Sequence, residues 1–213
     1  MTGRAPESRK DAYSSFAELC GVEREGADFR VHVVRRPLAR IVVVAPHGGG
    51  IEPGTSEIAR GIAGADLSLA LFEGLKSGGN HRLHVTSTNF DEPRCLELIA
   101  ESEHVLAIHG ERGETPVVHI GGRDAELGAR IGAELMRRGH VLGEHSAAAL
   151  QGVDPRNLCN RGRTGAGVQL ELSAGLRRTF FANLTASGRA RPTPELERFV
   201  HAVRAGLLSA VAS

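Results

Sequence analysis

Apolar residues along the chain alternate with polar ones or form short runs, and these patterns predict seven strands. Residues 28–36 place Phe29, Val31 and Val33 against polar neighbours, which is typical of a half-buried strand near a sheet edge. The continuous run at 40–45 is typical of a central strand that is covered on both faces. The other strands are predicted at 67–72, 83–88, 104–109, 116–120 and 166–173.

Segments with the apolar spacing of helices lie between these strands. Segments 55–63, 92–100 and 123–139 have apolar residues three or four apart, and a C-terminal helix begins at Pro194. Because strands and helices interleave, the sequence predicts an α/β fold: a three-layer α/β/α sandwich around a mixed sheet. Residues 1–10 are predicted to be a flexible tail, and residues 11–213 a single domain.

Composition narrows the function classes. The chain has 213 residues, 41% of them hydrophobic and 24% charged, with a net charge of +1 and 4% aromatic residues. A nucleic-acid-binding protein normally has a strong basic excess, so nucleic acid is not the expected partner. Since no apolar run approaches the roughly 20 residues of a membrane span, no membrane partner is expected either. The basic start lacks a following hydrophobic segment, which favours a cytoplasmic location or phage-related release.

The stretch VVVAPHGGGIEPGT, residues 42–55, is a strand followed by a polar, glycine-rich loop. Neither G-x-x-x-x-G-K-[ST] nor G-x-G-x-x-G occurs, so a phosphate-binding loop is not expected. An esterase oxyanion hole would need a G-x-S-x-G nucleophile elbow, which the chain lacks. A metal site is the hypothesis that uses the most residues of the loop.

His47 and His109 each end a predicted strand, and Glu52 follows His47 after three glycines. The glycines allow the chain to fold back until His47 and Glu52 reach one point. Two histidines and a carboxylate, with a fourth position open to water, form a hydrolytic zinc site. On spacing alone, loop histidines and a surface carboxylate remain an equally good interpretation.

Glu171 lies between two leucines in VQLEL, residues 168–172. A buried carboxylate is costly unless it is paired or functional. A metal hydrolase needs a carboxylate beside the metal-bound water to accept its proton. A structural ion pair with an arginine is the alternative for Glu171.

Several segments together resemble the poly-γ-glutamate hydrolase family, which includes phage-associated and bacterial proteins. These segments are YSSFAELCGVEREGADFRV, APHGGGIEPGTSEIA, LHVTSTNFDEPRCLEL, AIHG, IGGRD and NLCNRGRTGAGVQLELSAGLR. The resemblance implies a zinc carboxypeptidase-like fold and one zinc ion (Zn²⁺) per chain, bound by His47, Glu52 and His109. It places Glu171 where the family has its general base. The His-to-Glu spacing differs from the H-x-x-E of ordinary carboxypeptidases, so their peptide specificity does not transfer.

The resemblance also implies an acidic substrate, a γ-glutamyl polymer or a similar small acidic amide. Arginines are expected to bind its carboxylates. The candidate substrate-binding residues are Arg177, Arg94, Arg163 and Asn89. Structural salt bridges are the alternative for the arginines, and a turn is the alternative for Asn89. The alternative functions are a zinc amidohydrolase or deacylase of the same fold that acts on another acidic substrate, and a non-catalytic phage-related binding protein.

Overall fold

Seven strands form one mixed sheet in the computed structural model, which describes residues 11–143 and 151–209. The strands are β1 Phe29–Val34, β2 Ile41–Gly49, β3 Ser68–Gly74, β4 His104–Gly110, β5 Val118–Gly122, β6 Leu142–Gly143 and β7 Val168–Leu172. Their order in the sheet is β1-β3-β2-β4-β7-β5-β6. The β1–β3 and β7–β5 pairs are antiparallel and the other pairs are parallel. The mixed sheet is therefore confirmed, while the predicted tail at residues 1–10 lies outside the described residues.

Helices cover both faces of the sheet, as predicted for a three-layer sandwich. They are α1 Phe16–Cys20, α2 Thr55–Ala63, α3 Pro93–Glu101, α4 Ala125–Arg137, α5 Ala174–Thr179, α6 Ala186–Arg189 and α7 Pro194–Ser209. Short 3-10 helices span Asn80–Leu83 and Leu158–Arg161. Among residues 11–143 and 151–209, no helix has the length and apolarity that a membrane span requires.

Alternate residues of the central strands supply two separate cores. In β4, Leu106 and Ile108 pack with α2, α4 and α7, whereas Val105 and Ala107 pack on the opposite face with α1 and α3. The same alternation in β7 puts its valine and leucines in the first core and turns Glu171 to the second face. The strand periodicity thus decides which face of the sheet carries the polar side chains.

The strand predicted at 83–88 is absent. The segment begins at the end of the first 3-10 helix, and its backbone groups bond to side chains and to single amides such as that of Leu158, with no neighbouring strand in the described part of the chain. The Val85 carbonyl accepts from the His47 ring at 2.9 Å, and the Thr86 amide donates to Asp11 Oδ2 at 2.7 Å. Leu83, Val85 and Ser87 are buried in alternation, which explains why the sequence pattern looks like a strand.

Candidate metal centre and active site

The carboxyl ends of β2 and β4 bring His47 and His109 together. These strands are parallel neighbours, so side chains that follow their apolar runs emerge at the same edge of the sheet. The two Nδ1 atoms are 3.2 Å apart, and both residues are buried, with exposed fractions of 2% and 3%. The structure therefore joins two histidines that are 62 positions apart in the sequence.

The glycine loop turns the chain back on itself after His47. A side chain at Gly48 would meet Ser56 Oγ at 2.1 Å, and one at Gly49, where φ is +63°, would meet the Gly74 carbonyl at 2.4 Å. The absence of Cβ atoms therefore lets the loop lie against α2 and β3. The Glu52 amide then donates to the His47 carbonyl at 2.8 Å, which closes the turn.

Glu52 is the third member of the cluster. Its Oε1 lies 3.1 Å from His47 Nδ1, and its Oε2 lies 3.8 Å from His109 Nδ1. The Gly110 amide donates to Oε2 at 2.8 Å and orients the carboxylate. Burial opposes the charged form, but the neighbouring histidines, His47 first, outweigh it and lower the pKa of Glu52 to about 2.

The partners of the outer ring nitrogens determine which atoms face the centre. His47 Nε2 contacts a backbone carbonyl, which only accepts, so Nε2 carries the hydrogen and Nδ1 of the neutral ring has a lone pair. His109 Nε2 lies 3.3 Å from Ser87 Oγ. Burial lowers the pKa of His109 to about 3, so that ring is neutral. Nδ1 of His47, Nδ1 of His109 and the Glu52 carboxylate thus converge, and either a proton on one nitrogen or a metal ion can hold them together.

The separations of His47 Nδ1 from His109 and from Glu52 fit a tetrahedral zinc ion, and the separation of His109 from Glu52 is longer. Zinc–nitrogen and zinc–oxygen distances of about 2.0–2.1 Å at the tetrahedral angle put two ligand atoms about 3.3 Å apart. The observed separations are 3.2 Å between the histidine nitrogens and 3.1 and 3.8 Å from these nitrogens to the Glu52 oxygens. The outer nitrogens bonded to a carbonyl and a hydroxyl match the orienting contacts usual for metal-bound histidines.

His84 also belongs to the cluster, although no motif in the sequence predicts it. Its ring stacks on that of His47 with centroids 3.9 Å apart, and its Nε2 lies 3.9 Å from Glu52 Oε1. His47, Glu52 and His84 form a group whose possible ligand atoms lie within 4.8 Å of one another. Asp11 Oδ1 accepts from His84 Nδ1 at 2.7 Å, so the bare Nε2 of the neutral ring faces the centre.

Glu171 lies beside the cluster on the neighbouring strand. It is the register partner of His109 between β4 and β7, so both side chains emerge on the same face of the sheet. Burial, then the negative charges of Glu52 and Glu111, raises the pKa of Glu171 well above its usual range. Gln169 Nε2 donates to Glu171 Oε1 at 3.2 Å. A carboxylate with a raised pKa next to a possible metal site has the properties of a general base.

Arg177 joins three segments around the cluster. Its guanidinium donates to the carbonyls of Pro53 at 2.6 Å, Glu111 at 2.7 Å and Leu172 at 3.1 Å. A Cβ at Gly110 would meet Arg177 Cζ at 2.7 Å, so the guanidinium lies directly against the residue that follows His109. These three bonds use three of its five N–H groups.

The other substrate-binding candidates lie elsewhere. Arg94 donates to Glu92 at 2.7 Å and to Glu25 at 3.0 Å through each terminal nitrogen, which matches the structural alternative. The Arg163 amide donates to the carbonyl of Ser102, just before β4. At about 3.3 Å per strand residue, Arg163 is therefore roughly 20 Å from the His109 end of β4.

Asn89 is exposed in the turn that follows Ser87. Its amide donates to the Thr86 carbonyl at 2.8 Å, and its side-chain oxygen accepts from the Thr88 hydroxyl at 3.4 Å. These contacts match the turn alternative for Asn89.

The chain is similar to known proteins over most of its length. Residues 13–202 match the model of the poly-γ-glutamate hydrolase family. UPF0714 protein YndL of Bacillus subtilis (strain 168) is 39% identical over 194 residues, which cover 89% of this chain and 74% of the relative. The SPbeta prophage-derived UPF0714 protein YoqZ of the same strain is 38% identical over 183 residues, which cover 84% of this chain and 65% of that protein.

Solved structures show the same fold. A bacteriophage poly-γ-glutamate hydrolase is 31% identical with a TM-score of 0.90, and the match covers 95% of this chain and 99% of the other. A zinc-free apo structure of YndL is 36% identical with a TM-score of 0.88, over 94% and 99%. A putative carboxypeptidase from Burkholderia mallei is 12% identical with a TM-score of 0.50, over 86% of this chain and 59% of the other. With the zinc carboxypeptidase-like α/β fold and the family match across most of the sequence, the chain belongs to the poly-γ-glutamate hydrolase family.

Proposed function

We propose that this protein is a zinc-dependent hydrolase that cleaves γ-glutamyl amide bonds of poly-γ-glutamate. The observation that carries the proposal is the convergence of His47 Nδ1, His109 Nδ1 and the Glu52 carboxylate next to the buried carboxyl of Glu171, whose pKa is raised. Membership of the poly-γ-glutamate hydrolase family supports the reaction class and the acidic polymer.

In this proposal His47, Glu52 and His109 hold one zinc ion. When bound, the ion would act as a Lewis acid and would make a water molecule at the site more acidic. The Val85 carbonyl keeps His47 Nδ1 turned inward, and the Gly110 amide keeps Glu52 in place. The protein thus presents the donors in a preset arrangement.

Glu171 is the proposed general base. The Gln169 amide occupies Oε1, which leaves Oε2 to accept a proton from the attacking water. The protonated carboxyl then gives that proton to the nitrogen of the departing amine. Burial removes competing solvent around the carboxyl, whose exposed fraction is 7%.

Removal of the metal is the first test of the proposal. The purified protein incubated with poly-γ-glutamate should release shorter chains, as measured by gel electrophoresis and by new amino groups. A chelator should stop the release, and added zinc should restore it. An active protein that ignores the chelator would contradict the zinc centre, and a zinc-bound protein that cleaves only other acidic amides would contradict the substrate.

Arg177→Lys tests the proposed recognition of substrate carboxylate by the two N–H groups that the carbonyls leave free. The lysine ammonium cannot reproduce the paired N–H donors of the planar guanidinium. KM should therefore rise on the order of tenfold, with a smaller change in kcat. Steady-state kinetics per folded molecule measure this effect.

Arg161→Lys is the matched control for Arg177→Lys. Arg161 also donates to three backbone carbonyls, those of Arg156, Phe90 and Thr88, at 2.7–2.9 Å. Both variants should lose thermal stability, but only the Arg177 variant should raise KM. Equal kinetics in the two variants would assign Arg177 a purely structural role.

A further inference from the structure

Three buried polar side chains form a hydrogen-bonded line that ends on Glu171. Asn157 Nδ2 donates to Gln169 Oε1 at 3.1 Å, and Gln169 Nε2 donates to Glu171 Oε1 at 3.2 Å. Their exposed fractions are 6%, 2% and 7%. Buried polar groups are costly unless they are satisfied, so this line needs an explanation.

The donors and acceptors along this line follow one order. The Cys159 amide donates to Asn157 Oδ1 at 3.1 Å, so the amino group of Asn157 is the end that faces Gln169. Gln169 must then present its oxygen to Asn157 and its amino group to Glu171. A backbone N–H at Cys159 therefore determines, through two side-chain amides, that Glu171 Oε1 receives a donor.

Backbone packing keeps Gln169 in place. A Cβ at Gly152 would meet Gln169 Cδ and Oε1 at 2.5 Å, and one at Gly121 would meet Gln169 Cγ at 3.3 Å. The chain thus approaches the amide closely from two segments. Because neither segment has a side chain there, Gln169 fits between them, and its rotamer is restricted by contact on both sides.

We infer that Gln169, oriented by Asn157, is a positioning residue for the general base. Its amide holds Oε1 of Glu171 and thereby sets the rotation of the carboxyl group, so that Oε2 faces the water to be activated. The inference rests on the proposed function, in which Glu171 acts as the base. The hydrogen bond to Gln169 also favours the charged form that a base requires.

Gln169→Met keeps the length of the side chain and removes the donor. We expect kcat to fall roughly 10–100-fold, the usual cost of losing an orienting partner. KM and zinc content should stay near the wild-type values, because the hydrogen bonds of the Gln169 side chain to Asn157 and Glu171 involve neither the proposed metal ligands nor Arg177. An unchanged kcat in a folded, zinc-loaded variant would overturn the inference.

Asn157→Asp tests the same line without a change at Gln169. The aspartate keeps an acceptor for the Cys159 amide but turns its second oxygen toward Gln169, whose amide must flip to donate to it. The flipped amide presents its oxygen to Glu171, so kcat should fall in the same way. Asn183→Asp is the control, since Asn183 Oδ1 only accepts, from the backbone N–H and the hydroxyl of Thr185, and lies outside the line.

A double-mutant cycle separates positioning from general destabilisation. In a Glu171→Gln background, Gln169→Met should cause no further loss of kcat, because the group that it positions no longer acts as a base. A further 10–100-fold loss there would show a structural role and overturn the inference.

A crystal structure of Gln169→Met gives a readout that does not depend on activity. The Glu171 carboxyl should rotate or show two orientations, while Glu52 and His109 keep their places. An unmoved carboxyl would overturn the inference even if the wild-type protein failed to cleave poly-γ-glutamate. That failure of cleavage would count against the proposed function alone.

Discussion

His109→Ala should abolish stoichiometric zinc binding. The variant keeps His47 and Glu52, but two protein ligands leave half of a tetrahedral shell to water, and zinc sites use three or four protein ligands. Elemental analysis after dialysis should find about one zinc per wild-type chain and almost none in the variant. Hydrolysis of poly-γ-glutamate should be lost with the metal. His201→Ala is the control, since His201 is an exposed histidine of α7.

His84→Ala distinguishes the two possible ligand sets. His109 Nδ1 lies 3.2 Å from His47 Nδ1, close to the ligand separation of a tetrahedral zinc ion, whereas the ring of His84 is stacked on that of His47 with centroids 3.9 Å apart. The in-plane lone pairs of two stacked rings do not converge on one ion. We therefore expect His84→Ala to retain its zinc. If zinc were lost from His84→Ala and kept in His109→Ala, the ion would belong to His47, Glu52 and His84, and the proposed set would be wrong.

The fold could be predicted because its strands and helices bury most of the apolar residues in regular patterns. Leu127, Ile131 and Leu135 fall four apart and are all buried in α4. The run at 40–45 became a central strand with neighbours on both sides. The strand predicted at 83–88 was wrong for a related reason. Burial alternates along this segment too, although it bonds to the side chains of Asp11 and His47 and has no neighbouring strand among the described residues.

The position of the site could be predicted from the strand ends, but not all of the residues that form it. His47 and His109 are placed by parallel neighbouring strands, and Glu52 by the glycine turn. The contact of Asp11 with His84 spans 73 positions and depends on how the irregular segment crosses the sheet edge, which no local pattern encodes. Gln169 is adjacent to Glu171 on the polar face of VQLEL, but this pattern alone does not distinguish an orienting amide from a packed one.

The arginine candidates show that a position within a family-like motif does not by itself place a residue at the site. Arg94 and Arg163 lie within family-like segments, yet Arg94 is paired with Glu92 and Glu25, and Arg163 lies beside Ser102, at the end of β4 opposite to His109. The direction in which a helix or loop carries a side chain depends on tertiary packing. Only Arg177, whose helix follows β7 directly, remains at the cluster.

Glu171→Gln should lower turnover by roughly 10²–10⁴, the range for loss of a positioned acid or base. The amide has nearly the same shape, so zinc content and substrate binding should be close to wild type. A variant without zinc would make Glu171 a ligand, and a variant with near-normal turnover would exclude it as the base.

The pH dependence of Glu171→Gln provides an independent check. Burial and the charges of Glu52 and Glu111 raise the pKa of Glu171, so its contribution to the stability of the metal-free protein is favourable at low pH and is lost as pH rises through the raised pKa. The metal-free variant should therefore unfold at a higher temperature than the metal-free wild type at neutral and alkaline pH, and the difference should disappear in acid. In the zinc-loaded wild type, kcat should fall as acid protonates the base. Glutamine cannot be protonated in this range, so the residual activity of the variant should lack that acidic limb; an unchanged limb would assign the ionisation to another group.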